Sequence, residues 1–212
     1  MKHRLGVLAA RLAVLLATGP GLAVPLAVPL VFALVGPPVL TLVVALGVAP
    51  AADAATTDEA DIARLRQREL LIPVLSVEAA DLQDTYLQTR GAGARAHEAL
   101  DIPAPRGTPV LAVEDGRIAK LFLSKPGGRT VYHFDESGEF VYYYAHLDSY
   151  VQGLREGLWV RKGQVIGYVG STGNAAPESP HLHFAIFRLG PERQWWRGTP
   201  INPFSVWDVR RP

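Results

Sequence analysis

The chain has 212 residues, of which 49% are hydrophobic, and a formal net charge of +1. This length allows one domain of ordinary size with a good core, plus an appendage. The absence of cysteine excludes disulfides, thiolate nucleophiles and cysteine-bound zinc. Without Lys2, Arg4 and Arg11, 18 basic residues remain against 20 acidic ones, so no basic surface for nucleic acid is indicated.

The appendage is an uncharged stretch, residues 12–52, with basic residues before it and acidic residues after it. We interpret residues 1–52 as a hydrophobic helical segment, a signal or an anchor, that directs the following residues out of the cytoplasm. The predicted location is the cell envelope, outside the cytoplasmic membrane. The stretch is too long for an ordinary signal peptide and contains Pro20, Pro25, Pro29, Pro37 and Pro38, which favours a retained membrane anchor.

Two other interpretations of this segment are open. Val39–Val48 has the length of a signal-peptide core, and Ala49-Pro50-Ala51 fits the small-x-small cleavage rule. A hairpin of two short spans is also compatible with the pattern, and it would leave the C-terminal part in the cytoplasm.

The remaining residues divide into three predicted parts. Residues 53–69 are rich in charged residues, leucine and alanine, with apolar residues at roughly helical spacing, and predict a linker or short helix. Residues 70–207 form the predicted main domain, and residues 208–212 form a tail.

The main domain shows repeated short strand patterns separated by turn signals. Two hairpins are predicted, one from Val110–Val113 and Arg117–Leu123 around Glu114-Asp115-Gly116, the other from Thr130–Phe134 and Phe140–Leu147 around Glu136-Ser137-Gly138. Consecutive strands with tight turns and no long helical period predict an all-β fold, an antiparallel sandwich or barrel.

His181-Leu182-His183-Phe184 is the sequence feature around which a site can be built. Side chains alternate in a strand, so His181 and His183 share one face while Leu182, Phe184 and Ile186 share the other. One face then suits a site and the other a core. Taken alone, the two histidines could equally belong to a half-exposed strand.

Further candidate ligands occur upstream, in His97-Glu98-Ala99-Leu100-Asp101. Glycines before this stretch and prolines after it make a helix improbable, and in an extended chain His97 and Asp101 can reach one ion. With His183 they form a set of two imidazoles and one carboxylate, which suits Zn²⁺ with a fourth position for water. The same set describes the facial triad of non-haem iron oxygenases, so iron is an alternative.

His146 belongs to an alternating stretch in which we expect Phe140, Tyr142, Tyr144 and His146 to share a face. Together with His181 it would place two unligated imidazoles beside the ion. Such imidazoles could orient water, accept its proton or donate to an oxyanion.

Three linked stretches of the chain are RGAGARAHEALDIPAPRGTPVLAVEDGRI, YYYAHLDSYVQGLREGLWVRKGQVIGYVGSTGN and SPHLHFAIF. Together they resemble the lysostaphin/LytM-type zinc metallopeptidases, a bacterial cell-wall endopeptidase family. The similarity covers roughly residues 70–204, in the family's order, and several linked motifs together are highly specific.

The resemblance implies a β-rich fold with a metal groove and zinc bound by His97, Asp101 and His183. It also implies that His146 and His181 are the two catalytic histidines. Tyr144 and Asn174 match positions that border the groove. The implied substrate is a peptide of peptidoglycan.

The chain departs from the family's pattern without losing a ligand. Ala99 stands in place of a glycine, Ala185 in place of a frequent glutamate, and residues 175–179 replace a shorter turn. We therefore expect a membrane-tethered or secreted zinc endopeptidase of the bacterial wall. The rival hypotheses are a non-catalytic wall-binding or regulatory module and an iron oxygenase. The residues do not identify an activating partner.

Overall fold

The structure, a computed structural model, describes residues 52–90 and 95–207. Its two α-helices are α1 (Ala52–Gln67) and α2 (Pro203–Trp207), and Ala79–Asp81 forms a short 3-10 turn. Its strands are β1 (Thr89–Arg90), β2 (Arg95–Ala96), β3 (Leu100–Pro103), β4 (Pro109–Leu111), β5 (Gly116–Ser124), β6 (Gly128–Asp135), β7 (Phe140–Leu147), β8 (Ser149–Tyr150), β9 (Trp159–Val160), β10 (Val165–Tyr168), β11 (His181–Leu189) and β12 (Gly198–Ile201). The predominance of strands confirms the predicted β class.

The predicted N-terminal segment, apart from Ala52, and the predicted tail lie outside the described residues. All described residues belong to one compact unit. None of the described helices is both long enough and apolar enough to span a membrane.

The strands form one large sheet, one small sheet and a two-stranded ribbon. The large sheet has the order β12-β11-β7-β6-β5-β9, and β3 pairs with the first half of β11. The small sheet has the order β4-β10-β8, and β1 pairs with β2. All of these described pairs are antiparallel, as predicted.

One of the two predicted hairpins is wrong. Although β4 and β5 are consecutive and separated by a turn signal, β4 pairs with β10 in the small sheet, whereas β5 pairs with β6 and β9 in the large one. The chain therefore crosses between sheets at Glu114-Asp115-Gly116 instead of folding back on itself. The second predicted hairpin, formed by β6 and β7, is confirmed.

The core lies on one face of β11 and is shared by both sheets. Leu182, Phe184 and Ile186 are fully buried, which confirms the predicted alternation of this strand. They belong to the same apolar cluster as Val110 of β4 and Ile166 of β10 in the small sheet. Burying each such side chain contributes roughly 1.5–3 kcal/mol, which holds the opposite, histidine-bearing face in a fixed position.

Helix α1 packs against the C-terminal end of the domain. Leu65 is fully buried, and the Arg66 guanidinium donates hydrogen bonds to the Ser205 carbonyl at 2.9 and 3.1 Å. Just after the helix, the Leu70 carbonyl accepts a hydrogen bond from the Trp207 indole at 2.8 Å. The helix expected in the linker region is therefore part of the packed domain.

Candidate active site

Three side chains on different parts of the chain place one ligand atom each at a common point. Asp101 of β3 lies directly opposite His183 of β11 in the strand register, and His97 approaches from the segment between β2 and β3. The atoms His97 Nε2, His183 Nδ1 and Asp101 Oδ1 are each 3.0 Å from the other two. They form the one group of at least three such ligands found among the described residues.

As predicted, the segment that brings His97 to Asp101 is not helical. Glu98 has a φ of 53°, which turns the chain between the two residues, and its backbone N–H donates to the Tyr86 carbonyl at 3.0 Å. A left-handed residue at this position ends any helical path. This bend and the register of β3 bring His97 and Asp101 together. Their spacing in the sequence allowed this contact but did not require it.

Thr85 fixes the orientation of both residues. Its carbonyl is 2.9 Å from His97 Nδ1, and its hydroxyl accepts a hydrogen bond from the Asp101 backbone N–H at 3.0 Å. The same hydroxyl donates to the Ala99 carbonyl at 3.2 Å. Donation from Nδ1 to a carbonyl leaves Nε2 of His97 as an acceptor aimed at the site. Sequence reasoning missed Thr85, since a lone threonine in a loop gives no signal.

The chemistry of this group fits a divalent metal. Two imidazole lone pairs and a carboxylate oxygen converge, and no lysine or arginine lines the cleft in the described part of the chain. Ligand atoms on a tetrahedral zinc are separated by about 3.3 Å, close to the observed spacing. Burial by itself would raise the pKa of Asp101, but hydrogen bonds with His183 and His97 outweigh it and lower that pKa. Burial lowers the pKa of His183, so the ligands favour the forms that bind metal.

The two histidines predicted to be catalytic lie beside this group. The ring centroid of His146 is 4.9 Å from that of His181 and 5.5 Å from that of His183. Nδ1 of His146 is 2.8 Å from the Thr172 carbonyl, and Nδ1 of His181 is 2.8 Å from the Ser179 carbonyl. Each ring therefore keeps Nε2 as a proton acceptor. Burial lowers the pKa of His146 to about 4, so its ring is neutral at pH 7.

A β-bulge aims His146 at the site. Between the pairs Arg129–Leu147 and Val131–Tyr144, strand β6 has one residue while β7 has two, Ala145 and His146. His146 has a φ of 60°. Such a bulge redirects a side chain that strict alternation would place on the other face. The prediction that His146 shares a face with Tyr144 is therefore wrong.

The expected position of Tyr144 at the groove is also wrong. Tyr144 is fully buried on the core side, where its hydroxyl accepts a hydrogen bond from the Val113 backbone N–H at 3.2 Å. The residue at the groove is Tyr143, whose ring centroid is 6.0 Å from that of His183. It lies opposite Ala185 on the face that bears His183. Because three tyrosines are consecutive, the sequence did not show which of them faces the groove, and only the strand register does.

Asn174 does lie at the groove. It lines a cleft of about 350 Å³ together with Gly127, Tyr143, His146 and His183. Its backbone N–H donates to the Pro126 carbonyl at 3.0 Å, which holds the loop after β10 against the β5–β6 turn. Of the residues proposed from the sequence, His97, His146, His183 and Asn174 line this cleft, whereas Asp101 and His181 line a second pocket.

The comparison with known families adds to this geometry. The model of "Peptidase family M23" matches residues 95–203, just over half of the chain, a span that includes the whole histidine and aspartate cluster. The chain belongs to peptidase family M23. Within the M23 domain, the match begins next to His97 and ends at the start of α2.

Named proteins that are similar to the chain agree with its membership of family M23. The M23 domain is similar to an L-Ala–D-Glu endopeptidase of Bacillus subtilis, with 33% identity over 119 residues, 53% of this chain and 36% of that protein. It is similar to the DD-carboxypeptidase/endopeptidase Mpg of Neisseria meningitidis, with 40% identity over 113 residues, 53% of this chain and 23% of that protein. The match thus spans well under half of either relative.

The fold also matches a solved structure. The protein named lytM from Ruminococcus gnavus aligns with a TM-score of 0.57 and 26% identity, over 74% of this chain and 65% of that one. The antiparallel β architecture described above is therefore that of the M23 fold.

Two loops of the M23 domain hold His146 in place by packing backbone against backbone. Gly128 and Gly173 have φ values of 64° and 80°, and a Cβ on either would overlap the opposite loop. Their contact lets Thr172 present its carbonyl to His146, while the His146 N–H donates to the Gly127 carbonyl at 2.8 Å. Glycine is required here both for the left-handed backbone and for the close approach.

Proposed function

We propose that this chain is a zinc-dependent endopeptidase that hydrolyses peptide bonds in bacterial peptidoglycan, outside the cytoplasmic membrane. The observation that carries the proposal is the convergence of His97 Nε2, Asp101 Oδ1 and His183 Nδ1 at 3.0 Å, with His146 and His181 beside them. The two named relatives are called peptidases, but for different bonds, so the proposal stays with the substrate class.

In this proposal His97, Asp101 and His183 hold the zinc ion. Zinc so held supplies a Lewis acid that polarises the scissile carbonyl and makes water a nucleophile near neutral pH. Two nitrogens and one carboxylate oxygen are the ligand number of a catalytic zinc site, whereas a structural site is closed by four protein ligands.

His146 and His181 would move the protons. Each ring donates Nδ1–H to a backbone carbonyl, so each can accept a proton only at Nε2. One imidazole takes the proton of the attacking water and returns it to the leaving amine. The other would take a proton from solvent at Nε2 and donate it as a hydrogen bond to the developing oxyanion. Tyr143 and Asn174 line the cleft where the peptide would lie.

The proposal fits the N-terminal segment predicted from the sequence. A hydrophobic signal or anchor of residues 1–52 would bring the domain to the wall. The choice between an anchor and a cleaved signal stays a prediction.

The first test is elemental analysis of the full chain purified without added metal, together with digestion of isolated peptidoglycan with and without a chelator. We expect about one zinc per chain and muropeptide release that the chelator abolishes. Zinc without release would favour a wall-binding module. Iron with oxygen uptake would favour an oxygenase.

Two histidine variants then separate metal binding from proton transfer. His183→Ala should lose zinc and hydrolysis together, whereas His146→Ala should keep zinc and lose about a hundredfold or more in turnover. His133→Gln is the matched control, because His133 is buried in the core away from the cleft and should keep both. Turnover by metal-free His183→Ala would overturn the mechanism.

A further inference from the structure

A row of aromatic side chains leads away from the cleft across the large sheet. We call it the aromatic stripe and define it by Tyr143 on β7, Tyr132 on β6, Phe122 on β5, and Trp195 and Trp196 in the loop between β11 and β12. The ring centroids of Tyr143 and Tyr132 are 4.7 Å apart, and those of Tyr132 and Trp195 are 4.6 Å apart. The stripe continues from Trp195 to Phe122 at 5.6 Å and to Trp196 at 5.1 Å.

The stripe is continuous with the candidate active site. Tyr143 is both its first member and part of the cleft wall beside His146 and His183. Adjacent strands are separated by about 4.8 Å, so the stripe crosses roughly 10 Å of sheet from β7 to β5. A single polymer bound at the cleft could therefore continue along the stripe.

The outer members of the stripe are exposed, unlike core aromatics. Trp196 is 62% exposed and Phe122 is 41% exposed. Trp196 meets Trp195 at an interplanar angle of 75°, and Trp195 meets Tyr132 at 62°. Trp195 makes T-shaped contacts with Tyr132 and Trp196, and none of these ring pairs of the stripe is stacked face to face.

Flat aromatic faces of this kind suit the apolar face of a sugar ring. The C–H bonds on one side of a pyranose meet the negative face of an aromatic ring, while its hydroxyl and N-acetyl groups point outward. Polar partners are present: Lys120 lies opposite Tyr132 in the strand register and pairs with Glu156 at 2.9 Å. This mixture of charges does not match the basic cluster that would favour an anionic membrane.

We propose that the aromatic stripe binds pyranose rings of the glycan chain to which the substrate peptide is attached. The inference rests on the proposed function, because only a peptidoglycan substrate joins a peptide in the cleft to a sugar chain outside it. It adds a second binding site, which would position the wall polymer so that the peptide enters the cleft.

Binding can be measured without catalysis, using the full chain in the presence of a chelator. The probe is a peptide-free tetramer of β-1,4-linked N-acetylglucosamine, titrated by calorimetry. We expect the wild type to bind, Trp196→Ala to bind about three- to tenfold more weakly, and Trp196→Phe to retain most of the affinity. Trp159→Ala should bind like the wild type, because Trp159 is similarly exposed but makes no ring contact with the stripe in the described structure.

A second measurement uses the zinc-loaded chain. The ratio of the rate on intact peptidoglycan to the rate on a free stem peptide should fall severalfold in Trp196→Ala and stay unchanged in Trp159→Ala. Equal tetramer binding by wild type and Trp196→Ala, or no binding by either, would overturn the proposal. Weaker binding of Trp196→Ala to anionic vesicles, with tetramer binding unchanged, would assign the stripe to a membrane instead.

The two proposals fail separately. If the wild type binds the tetramer but releases no muropeptides, the proposed catalysis fails and the sugar site stands. If it releases muropeptides and does not bind the tetramer, the sugar site fails alone.

Discussion

Acceptor atoms converge in two clusters of the described residues, and these clusters differ in whether an arginine lies among the acceptors. In one, Glu114 and Asp135 converge on the Arg68 guanidinium at 3.1 and 2.9 Å. In the other, the candidate active site, Asp101 converges with His97 and His183. The described chain provides an arginine in the first case and no lysine or arginine in the second.

The difference shows how one physical requirement can serve structure or function. Converging acceptors in a partly buried place need a cation or protons to be stable. At the first cluster Arg68 meets this need, and its guanidinium also lies 5.0 Å from the centroid of the Phe140 ring, which fastens the chain after α1 to the sheet. In the proposed function, a zinc ion would meet this need at the cleft and could then act on a substrate.

The largest expected effect removes the anionic ligand of the cleft. Asp101→Asn should lower zinc affinity by more than about a hundredfold and abolish chelator-sensitive hydrolysis, because a neutral amide is a poor ligand for Zn²⁺. Zinc content by elemental analysis and muropeptide release measure this. Asp135→Asn, the same change at the other cluster, should retain zinc in its folded fraction. Equal zinc loss in both variants would contradict the comparison.

The next effect concerns stability at the Arg68 cluster. The Asp135 side chain is fully buried. Asp135→Asn should lower the free energy of unfolding by about 3 kcal/mol, because the partly buried Arg68 guanidinium would lose one of its two carboxylate partners. Urea denaturation measures this value. Asp148→Asn is the control, because Asp148 pairs with Arg106 at the surface and should cost less than about 1 kcal/mol. A cost below that of the control would show that the buried pair does not stabilise the fold.

A smaller effect should appear as a pH dependence of stability. Burial lowers the pKa of His133 from 6.5 to about 4. Between these values the unfolded chain binds more protons than the folded chain, so the free energy of unfolding falls as the pH drops. Between pH 7 and pH 5 this amounts to about 2 kcal/mol.

His133→Gln isolates this contribution. Urea denaturation at both pH values, with a chelator present, should show that the variant loses about 2 kcal/mol less than the wild type on going to pH 5. All other groups are the same in both proteins, so their contribution cancels in the difference. If the two proteins lose stability equally, His133 does not titrate as its burial implies.

The smallest expected effect concerns the contact with Thr85 that orients Asp101. Thr85→Val removes the hydroxyl that accepts the Asp101 N–H, but keeps the carbonyl that faces His97. Loss of such an orienting contact should weaken zinc binding about tenfold. Competition with a chromogenic chelator measures the affinity. Thr108→Val, which removes an exposed hydroxyl bonded to the Pro105 carbonyl, should leave it unchanged.

The sequence by itself determined the β class, the two faces of β11 and the four histidines and one aspartate that the structure brings close together. Alternation in His181–Ile186 is a local property, so it could be read without knowing the partners of the strand. The glycines before His97 and the prolines after Asp101 likewise made a helix improbable from nearby residues alone.

Only the tertiary structure decided which strands pair and which residue faces the groove. The turn signal at Glu114-Asp115-Gly116 is local, yet β4 and β5 belong to different sheets because their pairing partners are distant in the chain. The bulge at His146 arises from a mismatch in residue number between β6 and β7, which no single strand reveals. It moved His146 to the groove and left Tyr144 in the core, with Tyr143 in its place.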